Sequence, residues 1–129
     1  MVDGSAAIKR LRMLIVDDEQ DICDLLEHFF RSRGFTVRSA FSGEEALDLL
    51  QADGCPEVIL LDINLPGLSG IEVLRRAKEA SPDARIVMVS ALDRDDLKRE
   101  AHRYGAVDYV TKPFDFKDTT WAAVLQYYP

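Results

Sequence analysis

Residues 13–18 read Met13-Leu14-Ile15-Val16-Asp17-Asp18: four apolar residues in a row, then two carboxylates. Side chains of a strand alternate between its faces, so an unbroken apolar run puts hydrophobic groups on both. Such a strand must be covered on both sides, as in a parallel sheet sandwiched between helices. The form recurs. Val58-Ile59-Leu60-Leu61 is followed by Asp62, and Ile86-Val87-Met88-Val89 by Ser90. Thr36 to Ala40 is a mixed, more polar strand that suits an edge. Val107 to Val110 is a short strand ended by Lys112-Pro113.

Between these runs the apolar period becomes helical. Asp18 to Arg33 carries Ile22, Leu25, Leu26, Phe29 and Phe30 at i, i+3, i+4, i+7 and i+8, and Gly34 stops it. Ser42, with Glu45 three residues on, is an N-cap for a helix carrying Ala46, Leu49 and Leu50. A loop with Pro66, Gly67 and Gly70 precedes a third helix carrying Ile71, Leu74 and Ala77. Asp93 to Tyr104 is the fourth, with Leu97, Ala101 and Tyr104 on one face and Gly105 at its end. A last helix is expected from about Phe116 to Tyr127. Strands separated by helices run parallel, because each helix returns the chain to the starting edge. The expected fold is α/β: a doubly wound five-stranded parallel sheet, order 2-1-3-4-5, flanked by five helices in the flavodoxin-like manner.

The bulk numbers narrow the function. A chain of 129 residues suits one domain. Its net charge of −7 argues against a nucleic-acid-binding face, which needs clustered Lys and Arg. No apolar run approaches the roughly 20 residues of a membrane span, and MVDGSAAIKR lacks a signal-peptide core. Cys23 and Cys55 have no metal-ligand spacing, so a reduced, cytoplasmic protein is expected. Cys23 reads as a core thiol and Cys55, before Pro56, as chemically idle. His28 and His102 read as surface residues. Trp121, Tyr127 and Tyr128 read as packing or partner surface. Residues 1–10 are expected to form a flexible lead, and residues 11–129 the domain.

In a doubly wound sheet, ligands bind beyond the carboxyl ends of the strands, where the winding reverses. With order 2-1-3-4-5, strands 1 and 3 meet there. Asp17, Asp18 and Asp62 then converge on one site, with Ser90 and Lys112 on its far side. Two like charges ~4 Å apart repel by about 4 kcal/mol at an effective dielectric near 20. Three carboxylates therefore call for a cation, and all-oxygen ligands favour Mg²⁺, Mn²⁺ or Ca²⁺. Asp62, alone at the tip of a central strand, is the candidate nucleophile toward a phosphoryl group. Asp17 and Asp18 are the candidate metal pair. Lys112 and the metal would neutralise the transferring oxygens, and Ser90 would donate a hydrogen bond to one. Singly, each acid reads as well as a helix cap; Lys112, Ser90 and Tyr109 singly read as ordinary surface or strand residues.

The set Leu14-Ile15-Val16-Asp17-Asp18-Glu19, Leu60-Leu61-Asp62-Ile63-Asn64-Leu65-Pro66-Gly67 with Gly70, Val89-Ser90-Ala91 and Tyr109-Val110-Thr111-Lys112-Pro113-Phe114 resembles the receiver domain of two-component response regulators, of the chemotaxis-regulator kind. The resemblance covers about residues 11 to 127, and the strand order given above is also that family's. It implies a phosphoacceptor signalling switch. Asp62 would take a phosphoryl group from a histidine kinase or phosphotransfer protein. Asp18 and Asp62 would bind Mg²⁺ through carboxylates, Asn64 through its backbone carbonyl, and Asp17 mainly through water. Ser90 would move to bond the phosphoryl group, Tyr109 would rotate inward, and Lys112 would contact it before a cis Pro113. The output face would be the fourth helix, fifth strand and fifth helix, contacting an output domain or protein, with a homodimer on phosphorylation as one form. The only catalysis implied is its own phosphorylation and dephosphorylation. Leu92, two residues beyond Ser90, is apolar where many relatives are polar, and it borders the path of the attacking water. At this length the sequence is either a stand-alone receiver or the receiver part of a longer protein.

Other readings fit less well. A phosphatase of the haloacid-dehalogenase type wants a second Asp two residues after the nucleophile, where Asn64 stands. A flavin module wants a Gly/Ser/Thr-rich loop after the first strand, where Asp17-Asp18-Glu19 would repel phosphate. A degenerate receiver that only binds protein would not need the full set of acids, hydroxyl and lysine.

Overall fold

The computed structural model describes residues 11–128. The expected flexible lead over residues 1–10 lies outside them. Five strands, β1 (Leu11–Val16), β2 (Phe35–Ala40), β3 (Val58–Leu61), β4 (Arg85–Ser90) and β5 (Asp108–Thr111), form one sheet in the order β2-β1-β3-β4-β5. Every pairing is parallel. The helices are α1 (Gln20–Ser32), α2 (Gly43–Asp53), α3 (Gly70–Ala80), α4 (Asp95–Arg103) and α5 (Ala122–Leu125). Fold class and strand order are as the sequence predicts, and the more polar strand, β2, is at an edge.

Alternation along the central strands builds two cores. Leu14, Val16, Ile59, Leu61, Ile86 and Met88 point to one face and pack with Ala46, Leu74 and Ala101 of α2, α3 and α4. Met13, Ile15, Leu60 and Val87 point to the other and pack with Cys23, Leu26 and Phe30 of α1 and with Trp121 and Val124 near α5. All four residues of β3 are buried, as the unbroken apolar run requires.

Local signals set most helix boundaries. Ser42 and Ser69 cap α2 and α3, their side chains accepting from the backbone N–H of Glu45 and Glu72. Gly34, just past α1, has φ +95°, a backbone conformation that L side chains rarely adopt.

Two expectations are corrected. The apolar spacing puts Leu25 on the buried face of α1, yet it is 51% exposed. The face toward the sheet is centred on Cys23, Leu26 and Phe30, and Leu25 lies roughly 130° round the helix from that centre at 100° per residue. The final helix, expected from Phe116 to Tyr127, is confined to Ala122–Leu125. Asp115 explains the delay. Its carboxylate accepts from Lys117 N–H at 3.0 Å and Thr120 Oγ1 at 2.6 Å, and its carbonyl accepts from Trp121 Nε1 at 2.8 Å. These bonds give residues 115–121 a non-helical alternative.

Cys23 is fully buried, and its thiol donates to the Asp17 carbonyl at 3.4 Å. Burial pushes the thiol from 9.0 up to about 11, against a smaller opposing effect of the Ser39 hydroxyl. The folded state therefore keeps a proton that the unfolded state releases between these values. The contribution to stability is full below about pH 9 and is lost as pH rises through about 11. At pH 8, iodoacetamide should label the half-buried Cys55 of the native protein well before Cys23, and both together in urea. Equal native rates, read by peptide mass spectrometry, would refute the buried placement.

Candidate functional site

The register of β1 and β3 builds the site. Val16 pairs with Leu61, the last residue of each strand, so Asp17 and Asp62 leave the sheet side by side. The Asp62 N–H donates to the Val16 carbonyl and the Asp17 N–H to the Ala40 carbonyl, each at 3.0 Å. This extends the ladder by one residue and fixes both acids. Asp17 and Asp62 are buried, whereas Asp18 and Glu19 are exposed. One ligand oxygen from each of these four residues lies within 4.8 Å of the others.

Lys112 enters this group from the end of β5. Ser90 pairs with Thr111, and Lys112 N–H donates to the Ser90 carbonyl at 2.9 Å. Its ammonium reaches Asp17 Oδ2 at 2.7 Å, Asp62 Oδ2 at 3.0 Å and Glu19 Oε1 at 3.1 Å. Strand order alone puts Lys112 on the far side of the site; the structure places it among the carboxylates. The Lys112–Pro113 bond is cis.

Each acid is further held. Asp17 Oδ1 accepts from Glu19 N–H at 2.9 Å, so both Asp17 oxygens are engaged. Asp62 Oδ1 accepts from Asn64 N–H at 3.0 Å. Burial raises the pKa of Asp17, opposed by the bonds from Lys112 and the Glu19 amide. For Lys112, burial works against the charge, but Asp17 and Asp62 more than reverse it, and its pKa lies above the ordinary lysine value.

Four carboxylates against one ammonium leave the cluster formally three charges negative. At these distances each unbalanced pair of like charges costs about 4 kcal/mol at an effective dielectric near 20. The donors are all hard oxygens, and this set fits a divalent cation such as Mg²⁺.

Ser90, fully buried, accepts from Leu92 N–H at 3.2 Å. Tyr109 is half-buried, its hydroxyl donates to the Leu92 carbonyl, and Lys98 Nζ lies 5.7 Å from its ring centroid. Burial raises the Tyr109 pKa. Ser90, Leu92, Tyr109 and α4 thereby form one connected path. His28 and His102 are exposed and Trp121 is buried, as expected.

Two residues gain a role that the sequence did not reveal. Glu19 joins the cluster through Lys112, a contact made across 93 positions of chain. Gly70 donates its N–H to the Ile63 carbonyl at 2.9 Å and packs directly on the Asp62 backbone. The Pro/Gly spacing marked a loop but not this close approach.

A parallel five-stranded sheet with acids at its switch point and a lysine bonded between them defines the class of the site: an acidic cluster at the carboxyl edge of a doubly wound sheet. The chain belongs to the response regulator receiver domain family, whose sequence profile matches residues 13–123. It is a phosphoacceptor signalling switch of two-component phosphorelays. It is 36% identical over 118 residues to sporulation initiation phosphotransferase F of Bacillus subtilis (strain 168), spanning 92% of this chain and 94% of that protein. A CheY-like response regulator receiver domain protein from Methanospirillum hungatei superposes with a TM-score of 0.84 at 26% identity, covering 92% and 94% of the two chains. A Francisella response regulator receiver domain gives 0.80 at 30% identity, covering 92% and 97%. Among the described residues no helix is long and apolar enough to cross a membrane.

Proposed function

We propose that Asp62 is the phosphoacceptor. The observation that carries this reading is its position: a buried carboxylate at the switch point, with one oxygen bonded to Lys112 at 3.0 Å and the other to the Asn64 amide. A carboxylate oxygen of Asp62 attacks the phosphorus of a phosphohistidine on a histidine kinase or phosphotransfer protein. The P–N bond breaks, and its electron pair stays on the departing imidazole. Lys112 lies where it can neutralise a phosphoryl oxygen, and Ser90, whose oxygen accepts from Leu92 N–H, can donate its hydroxyl hydrogen to another. Intact-mass spectrometry after incubation with acetyl phosphate and Mg²⁺ tests the acceptor. Asn64, a neutral amide two residues beyond Asp62, gives no support to the phosphatase alternative. The domain then catalyses only its own phosphorylation and dephosphorylation. The name of the Bacillus relative, a phosphotransferase, fits onward transfer of the same group.

The cation is Mg²⁺ in this reading, and when bound it supplies positive charge to the transferring oxygens. Asp18 and Asp62 would hold it by their carboxylates and Asn64 by its backbone carbonyl. Asp17, with both oxygens already engaged, would act through water. Asp18→Ala should weaken Mg²⁺ binding by about tenfold or more, the size seen when an oxygen ligand or its support is removed. Isothermal titration that finds unchanged affinity would refute the assignment of Asp18.

The output surface in this reading is α4, β5 and α5, reached through Ser90, Leu92 and Tyr109. It would contact an output domain or protein, or a second copy on phosphorylation, in the cytoplasm. Amide shifts on adding phosphodonor should extend along α4 and β5. Shifts confined to the strand ends would count against this route.

A further inference from the structure

The Lys112 ammonium has three N–H donors and three carboxylate partners, all within 3.1 Å. Asp17 and Asp62 are buried and locked by backbone amides. Glu19 differs: its side chain is 61% exposed, and it meets Lys112 at the longest of the three distances. A phosphoryl oxygen arriving on Asp62 needs one of the lysine's donors. Releasing a buried carboxylate would leave it unpaired, whereas water can replace Lys112 at Glu19.

We propose that Glu19 is a positioning residue and a brake: it holds the Lys112 ammonium over the acids at rest and is the partner surrendered when the phosphoryl group arrives. This rests on the reading of Asp62 as phosphoacceptor. It goes beyond it by assigning a role to a residue whose carboxylate bonds Lys112. Glu19 acts in two ways that share a sign. It occupies one Lys112 donor, and its charge repels an anionic donor molecule at the mouth of the site.

The test uses the full chain with Glu19→Gln, and with Asp21→Asn as a control. Asp21 is another acid at the start of α1 that is not among the partners of Lys112. The first readout needs neither metal nor phosphate. In protein labelled with ¹⁵N on lysine side chains, exchange of the Lys112 ammonium protons with water should speed up in Glu19→Gln and stay unchanged in Asp21→Asn. The second readout is the rate of phosphoryl gain from acetyl phosphate at saturating Mg²⁺. Glu19→Gln should raise it by about two- to fivefold, the scale of one partly exposed ion pair. The gain should shrink as salt is added, because screening removes the repulsive part. Unchanged ammonium exchange in Glu19→Gln would overturn the positioning role. A slower rate in Glu19→Gln, or an equal rise in Asp21→Asn, would overturn the brake. If neither wild type nor Glu19→Gln gains a phosphoryl group, the reading of Asp62 fails, while the exchange measurement still decides whether Glu19 holds Lys112.

Discussion

Replacing Asp62 by Asn should abolish phosphoryl uptake while leaving the fold intact. Wild-type protein with acetyl phosphate and Mg²⁺ should gain one phosphoryl group by intact mass, and the variant none. An amide has almost the shape of a carboxylate but is not a nucleophile toward phosphorus at neutral pH. The loss should therefore exceed about a thousandfold, as when an enzyme loses its nucleophile. The amide oxygen can still accept from the Asn64 N–H or from Lys112. It also removes one negative charge from a cluster in which four carboxylates face one ammonium. Thermal stability measured without metal should therefore stay level or rise, since the repulsion among Asp17, Asp18, Glu19 and residue 62 falls. Mass gain in the variant equal to wild type would move the acceptor away from residue 62. A variant that unfolds would contradict the charge argument.

Gly70→Ala should be the most damaging small substitution near the site. A Cβ at position 70 would collide with the Asp62 carbonyl oxygen and lie 2.7 Å from both Asp62 C and Ile63 Cα. These neighbours are backbone, and they follow directly on β3, whose four residues are all buried. No flexible side chain can give way. Either α3 moves off the sheet, opening the core around Val73 and Leu74, or the chain after Asp62 shifts. Overpacking of this kind costs about 1–3 kcal/mol where side chains absorb it, and the fixed backbone here puts the expected loss at about 3 kcal/mol or more. Urea unfolding measures it. Alanine at Gly54 is the comparison, because a Cβ there meets nothing within 4 Å and only the cost of φ +78° remains. A Gly70→Ala loss no larger than that of Gly54→Ala would refute the close-packing argument. If the protein stays folded, slower phosphoryl uptake should accompany the loss, since the same backbone carries Asp62.

Much of this was readable from the chain. Runs of four apolar residues dictate buried strands, because only a sheet covered on both faces removes both side-chain sets from water. Those at Val58 and Ile86 gave β3 and β4 almost residue for residue. The caps at Ser42 and Ser69 act over three residues and so are local. Local reasoning failed where tertiary contacts compete with periodicity. Leu25 has the spacing of a core residue, but the rotation of α1 follows Cys23 and Phe30, which pack against the sheet. The segment after Pro113 is apolar enough for a helix, yet the Asp115 bonds and the burial of Trp121 hold it in turns.

For the site, the sequence by itself determined which groups stand at the strand ends. A strand of fixed length places the residues at its end at the sheet edge, so the sequence alone puts Asp17, Asp62, Ser90 and Lys112 there. It also supplied the sign of the local charge, and with it the call for a cation. Only the tertiary structure decided how these groups share their bonds. The register of Val16 with Leu61 sets two acids side by side, and β5 then brings Lys112 between them from 50 positions beyond Asp62. Burial separates Asp17 from Asp18, which are adjacent in sequence and alike in chemistry. Glu19 and Gly70 enter for the same reason. A salt bridge across 93 positions and a backbone contact with no side chain leave no periodic trace, because distance in space is set by the sheet and not by the spacing of residues.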